Sequence, residues 1–374
     1  MTEGVRIREG TTELLVPEQH SSGGPGKIFD TVFFNEQMAF NRDISVMFLR
    51  ALGKHLKVAD CMTATGSRAV RIANEVPDTE VIANDINPGT IPYIEENIRL
   101  NNLLNCHANR ENLHVLLAKE VFDYVDLDPF GSPVPFLHSA IQGCKRNGYL
   151  AVTATDTAPL AGAHRAKCER RYGARPLRGP MCHEMALRIL IGFIAREAAK
   201  FDKGIVPMLS FSIDHYVRTY VQMRNGAAAA DDCLSQLVYV AYDPATLERS
   251  ISKTPDEKHC YGPIWGGKLF DRDILDRMSP DGMADEKRCA RMLEIWKEEL
   301  DSNPYMYDVS EIASNVKVST PRYDDLLEAL SKEGRTSRTH ISPTGFKTEV
   351  PVSRIKEIFV EVASECVPTD TVRP

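Results

Sequence analysis

The 374-residue sequence predicts an α/β protein with a doubly wound, mainly parallel sheet, followed by a smaller α+β region. Three observations carry this prediction. From residue 57 onward, short apolar stretches alternate with amphipathic ones at strand and helix spacing, and that rhythm requires parallel crossovers. Near residue 228 the rhythm ends in "RNGAAAADD", a candidate linker. The length suits two domains, which places residues 1–228 in the sheet domain and 229–374 in the second.

The elements follow in order. Residues 20–27, "HSSGGPGK", form a loop. "DISVMFLRALG" predicts a helix with Asp43 as its cap and Gly53 as its stop. "KVADCM" is a strand, "TATGSRAVRIANEV" a loop entering a helix, and "EVIANDIN" a second strand. "PGTIPYIEENIRLNN" is a helix with Pro88 near its start, and "LHVLL" predicts a short strand. "FDYVDLD" and "GYLAVTATD" are further strands, and "GPMCHEMALRILIGFIAREAAKF" is one long helix with Met185, Ile189 and Phe193 on its apolar stripe. "GIVPMLSFSID" and "YVRTYVQM" complete the sheet. Beyond the linker come a strand in "QLVYVAYD" and a charged helix in "DEKRCARMLEIWKEEL". "DVSEIASNVKV" is a helix capped by Ser310, and "PRYDDLLEALSKEG" a helix running from Pro321 to Gly334. "RTSRTHI", "SPTG" and "FKTEVP" then predict a hairpin. Helix, helix, hairpin within 305–365 is the order of a winged-helix-like unit, an analogy of fold alone.

Composition narrows the classes. Net charge is −7, so any nucleic-acid partner must be met by local basic patches. The longest apolar run, "ALRILIGFIA", is broken by Arg188 and Gly192 and is too short to span a membrane. No signal-peptide pattern opens the chain, and a cytosolic protein is expected. The nine cysteines are odd in number and form no C-x-x-C pair, which predicts free thiols in a reducing compartment.

Two places point to a nucleoside ligand. In "DCMTATGSR" a strand ends at Asp60, and a small-residue turn with Gly66 leads to a helix N-terminus. In "ANDIN", Asp85 ends the next strand, where an acid can accept both ribose hydroxyls. The bland alternative for Asp85 is a helix cap before "NPGT". The loop lacks the glycine spacing of a dinucleotide site, so S-adenosylmethionine fits better than a pyrophosphate cofactor.

The stretch "VDLDPFGSP" supplies the chemistry. Ligands of doubly wound sheets bind beyond the carboxyl ends of the strands, which is where Asp128, Pro129 and Phe130 fall. An exocyclic amine on a base is a poor nucleophile, because its lone pair is delocalised into the ring. A carboxylate and a backbone carbonyl that accept its two N–H groups draw it toward tetrahedral geometry. Proline sets the turn, and the aromatic ring stacks on the base. The bland alternative is an Asp-Pro-x-Gly turn.

With these residues in place, the sequence resembles the tRNA guanine-26 N2-dimethyltransferases of the archaeal type. The resemblance rests on "FFNEQMAFNRDISV", "TATGSRAVRIANE", "DINPGTI", "NRENLHVLL", "DYVDLDPFGSP", "TATDTAPLAGAH", "CHEMALRIL", "SFSIDHYVRTYV", "YGPIWGG" and "THISPTGFKTEVP". It implies a class I (Rossmann-like) methyltransferase sheet, S-adenosylmethionine as cofactor and tRNA as partner. It also implies cofactor-site roles for Arg42, Arg68, Asp85, Glu111 and Asn112, and a catalytic role for Asp128 with Pro129 and Phe130. Many relatives carry a cysteine cluster after the catalytic domain. Here only Cys260 stands in that stretch, with His259 beside it, so no structural zinc is expected. A monomer is also expected. The DPFG motif alone permits methylation of another RNA base, such as adenine N6 or a ribosomal guanine. A non-catalytic RNA-binding protein with a relic cofactor fold is the reading from a different class.

Two basic stretches suit RNA phosphates. Residues 164–180 hold Arg165, Lys167, Arg170, Arg171, Arg175 and Arg178 against one acid, Glu169. The C-terminal hairpin holds Arg335, Arg338, His340 and Lys347. Each could instead be a solvated surface or scaffold.

Overall fold

The computed structural model describes residues 3–24, 32–255 and 260–365; of the predicted loop at 20–27, residues 25–27 lie outside these, as does His259. The chain divides into two compact units: Met1–Thr157 with Phe193–Gln236 and Leu269–Glu294, and Ala158–Gly192 with Leu237–Lys268 and Ile295–Pro374.

In the first unit, β1 (Val5–Glu9) and β2 (Thr12–Val16) form a hairpin. A seven-stranded sheet follows from β3 (Leu56–Asp60), β4 (Thr79–Asn84), β5 (Cys106–Asn109), β6 (Phe122–Leu127), β7 (Cys144–Ala154), β8 (Lys203–Ile213) and β9 (Tyr216–Asn225). Its order is β5-β4-β3-β6-β7-β9-β8. The first five strands are parallel, and β9 is antiparallel to both β7 and β8. Central parallel strands are covered on both faces and so are written as continuous apolar runs; Val58, Ala59, Tyr124, Val125, Leu150 and Val152 are all fully buried. The helices between the strands are α1 (Ala39–Leu52), α2 (Ser67–Glu75), α3 (Ile91–Leu100), α4 (Leu113–Lys119) and α5 (Val134–Gly143). After β3 the chain builds toward β5, then returns to the other side with β6. Strand order therefore reverses between β3 and β6, and the loops leaving these two strands diverge to open a crevice. The predicted doubly wound fold is present.

Three local predictions give way. "LHVLL" is helical: Asn112 caps the turn, and Leu113, Leu116 and Leu117 are buried at helical spacing while Val115 stays exposed. The strand precedes it, in the polar edge segment "CHAN". The alanine-rich stretch is not a linker but the helix Ala227–Ser235, in keeping with the high helix propensity of alanine. It packs so close to β8 that a Cβ at Gly204 would stand 2.2 Å from the Ala229 carbonyl oxygen. Asp43 caps nothing, because α1 begins four residues earlier. Its buried carboxylate instead pairs with Arg71 at 2.7 Å and accepts the backbone N–H groups of Ala284 and Asp285 at 3.0 Å. Around it, Glu9 pairs with Arg42 at 2.6 Å and with Arg71 at 3.4 Å, and the Thr12 hydroxyl donates to Glu75 at 2.7 Å, which fastens the β1–β2 hairpin to α1 and α2.

The second unit contains β10 (Leu237–Tyr242), β11 (Arg249–Ser252) and β12 (Cys260–Trp265) in one sheet, ordered β11-β10-β12. A second sheet joins β13 (Tyr307–Asp308), β14 (Thr336–Arg338) and β15 (Gly345–Thr348) in the order β13-β15-β14. Helices Val309–Val316 and Tyr323–Ser331 lie between β13 and β14 in the chain, and helix Val352–Glu365 follows. Asp308, not Ser310, caps the first of these: its carboxylate accepts the Ser310 N–H at 2.9 Å.

A buried ionic cluster occupies this unit. Lys347 Nζ stands 2.6 Å from Glu299 and 3.2 Å from Glu184. Arg188 pairs with Glu184 at 2.9 Å, and His340 Nδ1 with Glu299 at 2.6 Å. Burial pushes Glu184 up, but Lys347 and Arg188 outweigh it and hold the carboxyl down at about 2. This corrects the expectation that Lys347 and His340 face RNA phosphates: both are buried and committed to carboxylates. Arg335 and Arg338 remain half exposed.

Lys347→Met should therefore destabilise the protein by about 3–5 kcal/mol, because it removes the cation shared by two buried carboxylates and leaves them only Arg188 and His340. Arg335→Ala should stay within about 0.5 kcal/mol of the parent. Urea unfolding measures both. A Lys347→Met loss below about 1 kcal/mol would contradict the assignment of Lys347 as the centre of the cluster.

Candidate active site

The site is assembled where β3, β4 and β6 end. After β3 the chain turns through Thr63, Ala64 and Thr65 to Gly66, which begins α2 with φ of +80°. A Cβ at Gly66 would lie 3.2 Å from Ile94, so glycine meets both the backbone and the packing requirement. Ala64, itself at positive φ, donates its N–H to Asp85 Oδ2 at 2.9 Å. Asp85 Oδ1 accepts the Asn87 N–H at 2.9 Å. One residue earlier, the buried Asn84 ties three segments together. Its Nδ2 donates to the carbonyls of Cys61 and Glu111, both at 3.1 Å, and its Oδ1 accepts from Asn109 at 2.7 Å. Asn112 caps α4 through the His114 N–H, and Glu111 pairs with Lys119 at 2.5 Å.

These segments border a cavity of about 470 Å³ whose lining includes Arg42, Arg68, Asp85, Asn112, Asp128 and Phe130. Glu111 and Pro129 also border it. Gly66 does not; its part is the turn that aims α2. The residues the sequence pointed to in the sheet unit are thus brought together round one cavity.

The DPFG turn follows β6. Gly131, at φ of +80°, donates its N–H to Thr155 Oγ1 at 2.6 Å and accepts the Thr155 N–H at 2.9 Å. The turn is thereby pinned to the end of β7. Phe130 is 60% exposed and meets Phe33 edge to face at 4.6 Å. An aromatic left in solvent beside a cavity is free to stack on a planar ligand.

Electrostatics are set by Asp60, Arg68 and Asp128 in the cavity lining, with Asp126 and Arg218 buried behind them. Asp60 and Asp126 are paired neighbours at the ends of β3 and β6, and Asp128 follows two residues on. Arg68 forms an ion pair with Asp128, stands 3.7 Å from Asp126, and donates to Asn41 Oδ1 at 2.9 Å and Ser45 Oγ at 2.7 Å. Arg218, wholly buried on β9, holds Asp126 at 2.5 Å. Burial raises Asp126, but Arg218 and then Arg68 overcome it and keep the carboxyl below its usual range. Asp60 has no guanidinium of its own. Burial, with Asp126 alongside, pushes it up to about 7, although the Thr63 hydroxyl donates to it at 2.6 Å.

Arg42 carried no signal beyond the resemblance, yet it borders the cavity while paired to Glu9. Arg218, Ser45, Asn84 and Phe33 were not singled out. Asn84 precedes a marked acid and Phe33 opens a quoted motif, but Arg218 and Ser45 lie within an apolar strand and an apolar helix. In the second unit, Arg165 to Arg171 lie on a helix, Arg165–Tyr172, and not on a loop. Arg165 shares Glu169 at 2.7 Å, Arg175 lies over the Tyr261 ring at 5.2 Å, and Arg170 and Arg178 are exposed. Among the described residues, no three His, Cys, Asp or Glu side chains gather as a metal site, and no helix is long and apolar enough to cross a membrane.

A family profile described as "N2,N2-dimethylguanosine tRNA methyltransferase" matches residues 10–360. A tRNA (guanine(26)-N(2))-dimethyltransferase of Pyrococcus abyssi is 37% identical over 97% of this chain and 99% of its own length. One from Methanococcus maripaludis is 36% identical over 96% and 99%. The solved structure of Trm1 from Pyrococcus horikoshii in complex with S-adenosyl-L-methionine superposes with a TM-score of 0.87 at 36% identity, covering 95% of this chain and 99% of that one.

The raised Asp60 gives a pH signature. Its folded value lies above its unfolded one, so the folded state holds an extra proton between about pH 4 and pH 7. Stability from this group is present below that window and lost as pH rises through it. Asp60→Asn keeps an acceptor for Thr63 and removes the ionisation. Its melting temperature should gain on the parent between pH 5 and pH 8. A constant difference across that range would contradict the burial argument.

Proposed function

The chain belongs to the N2,N2-dimethylguanosine tRNA methyltransferase family, and on that premise we propose how its residues transfer methyl groups to the exocyclic N2 of guanine 26 in tRNA. The observation that carries the reading is the junction of an acid-marked nucleoside cavity with Asp128 and an exposed Phe130 in one lining.

S-adenosylmethionine, when bound, supplies an electrophilic methyl group on a sulfonium. The cavity lining suits it: Asp85 would take the ribose hydroxyls, Glu111 and Asn112 would hold the adenine, and Arg42 and Arg68 would bring cationic donors. Among the described residues, no glycine-rich cradle for a pyrophosphate borders it. On the acceptor side, Asp128 and the Pro129 carbonyl take the two N–H bonds of the guanine amine and localise its lone pair. Phe130 holds the base plane, so positioning supplies most of the rate. Each transfer forms one N–C bond and breaks one C–S bond, and the proton shed by nitrogen passes to Asp128. The N2 of a stacked guanine is out of reach, so the base is extruded into the site.

The second unit contributes phosphate contacts in this reading. Arg165, Lys167, Arg170, Arg171, Arg175 and Arg178 form one group, and Arg335 with Arg338 the other. The first unit, which holds the cavity, serves as the methyltransferase part, and the second unit, with its winged-helix-like part near 305–365, as the tRNA-binding part.

Asp128→Ala should lower methyl transfer by about 10²-fold or more while cofactor affinity, read by calorimetry, stays within about twofold. Asp85→Ala should do the reverse and raise the cofactor dissociation constant. Parental turnover in the first variant, or parental cofactor binding in the second, would remove the corresponding role. Phosphate contacts orient without reading bases. Arg335→Ala with Arg338→Ala should therefore weaken tRNA binding and flatten its log–log salt dependence by about 0.7 to 0.9 per lost contact, with turnover at saturating tRNA preserved. An unchanged slope would assign these residues to scaffold.

A further inference from the structure

We infer that Arg218 is a positioning residue for methyl transfer, acting through Asp126, Ser45 and Arg68 on the Asp128 carboxylate. The inference rests on the acceptor-side role proposed for Asp128.

Arg218 lies on β9, separated from β6 by β7, and none of its side chain reaches solvent. A guanidinium in such a place must have its donors satisfied, and here they are. Nη2 and Nη1 grip the two oxygens of Asp126 at 2.5 and 3.2 Å. Nη1 also donates to Thr153 Oγ1 at 2.5 Å, Nε to the Tyr220 hydroxyl at 2.9 Å, and Nη2 to Ser45 Oγ at 3.3 Å. The Tyr124 hydroxyl completes the hold on Asp126 at 2.6 Å. The fork of Arg218 thus fixes Asp126 in both position and rotation, which a lysine ammonium cannot do.

The next link is Arg68. Its Nη1 meets two of the partners of Arg218: the hydroxyl of Ser45 at 2.7 Å and the carboxylate of Asp126 at 3.7 Å. Asn41 Oδ1 accepts from the same nitrogen at 2.9 Å. The other terminal nitrogen, Nη2, pairs with Asp128. Asp126 and Asp128 stand two residues apart, and Arg68 is the cation that reaches both. Arg218 does not line the cavity, and its nitrogens donate to Asp126, Thr153, Tyr220, Ser45 and Tyr124. A buried pair of this kind adds little stability over a well-packed apolar pair. Its consequence is geometric: it determines where Arg68, and so the catalytic carboxylate, can lie.

A double-mutant cycle tests this. Arg218→Lys retains the charge and loses the fork. In single-turnover assays normalised to folded protein, it should lower kcat by about 10- to 100-fold. Dissociation constants for S-adenosylmethionine and tRNA should stay within about twofold. In an Asp128→Asn background the same change should alter kcat by less than about twofold, since the group it positions has lost its charge. Ser45→Ala, a smaller change at the shared hydroxyl, should show the same dependence on Asp128 and serves if Arg218→Lys does not fold. Equal losses in both backgrounds would overturn the inference, because Arg218 would then act independently of Asp128. So would a variant that melts earlier but turns over normally once folded. A parental kcat in Asp128→Asn alone would instead overturn the role of Asp128 itself, whatever Arg218 does.

Discussion

Asp60, Asp126 and Asp128 crowd the ends of two adjacent strands, and two buried guanidiniums make that crowding tolerable. Arg218 grips Asp126 and Arg68 pairs with Asp128, so each of these two carboxylates has a buried cation beside it. The solution is uneven. Asp126 is gripped and held low, Asp60 is left to burial and pushed up, and Asp128 is handed to the cavity by Arg68. Much of the first unit can be read as support for this arrangement. The antiparallel β9 enters beside the carboxyl end of β7, which is what brings Arg218 to the same edge as the parallel strand ends. Helix α1 contributes Asn41 and Ser45 to Arg68, and Arg42 to the cavity. The Glu9–Arg42 and Asp43–Arg71 pairs then hold α1 against α2 and the hairpin.

The second unit uses the same physics for a different end. Its buried cluster of Glu184, Arg188, Glu299, His340 and Lys347 consumes charge that would otherwise be available to a polyanion. Arg165, Arg170, Arg178, Arg335 and Arg338 are among the cations of this unit that still face solvent, as are Lys268, Arg322 and Lys332. Net negative charge and RNA binding are compatible on these terms, because the basic side chains are distributed locally and the total charge decides little.

The fold was legible because alternating strands and helices leave a strong periodic record, and a sheet of this kind fixes where its ligands bind. Asp85, Asp128 and the Gly66 turn were legible for the same reason: each falls at a strand end where little but function or capping calls for its residue type. Errors came where a local pattern has two solutions. "LHVLL" satisfies both periods over five residues, and Asn112 decides the matter by capping. Asp43 has the composition of a cap, but its partner Arg71 lies 28 positions away and is invisible to local patterns. Lys347 looked exposed for the same reason: a hairpin lysine and its buried acids, Glu184 and Glu299, are distant in sequence. Arg218 is the extreme case. In "YVRTYVQM" it is one charge in an apolar strand, and only the sheet order shows that it reaches across β7 to Asp126.

The central claim is that the acceptor is the exocyclic amine of guanine 26, presented to Asp128. Inosine differs from guanine by the loss of that amine alone. The most direct measurement is therefore transfer of isotopically labelled methyl to two synthetic tRNAs that differ only in guanine or inosine at position 26, followed by nucleoside mass spectrometry. The account predicts label on N2 of guanine 26 and none in the inosine tRNA, with tRNA binding retained. Label in the inosine tRNA, or on any other atom of the guanine one, would contradict it.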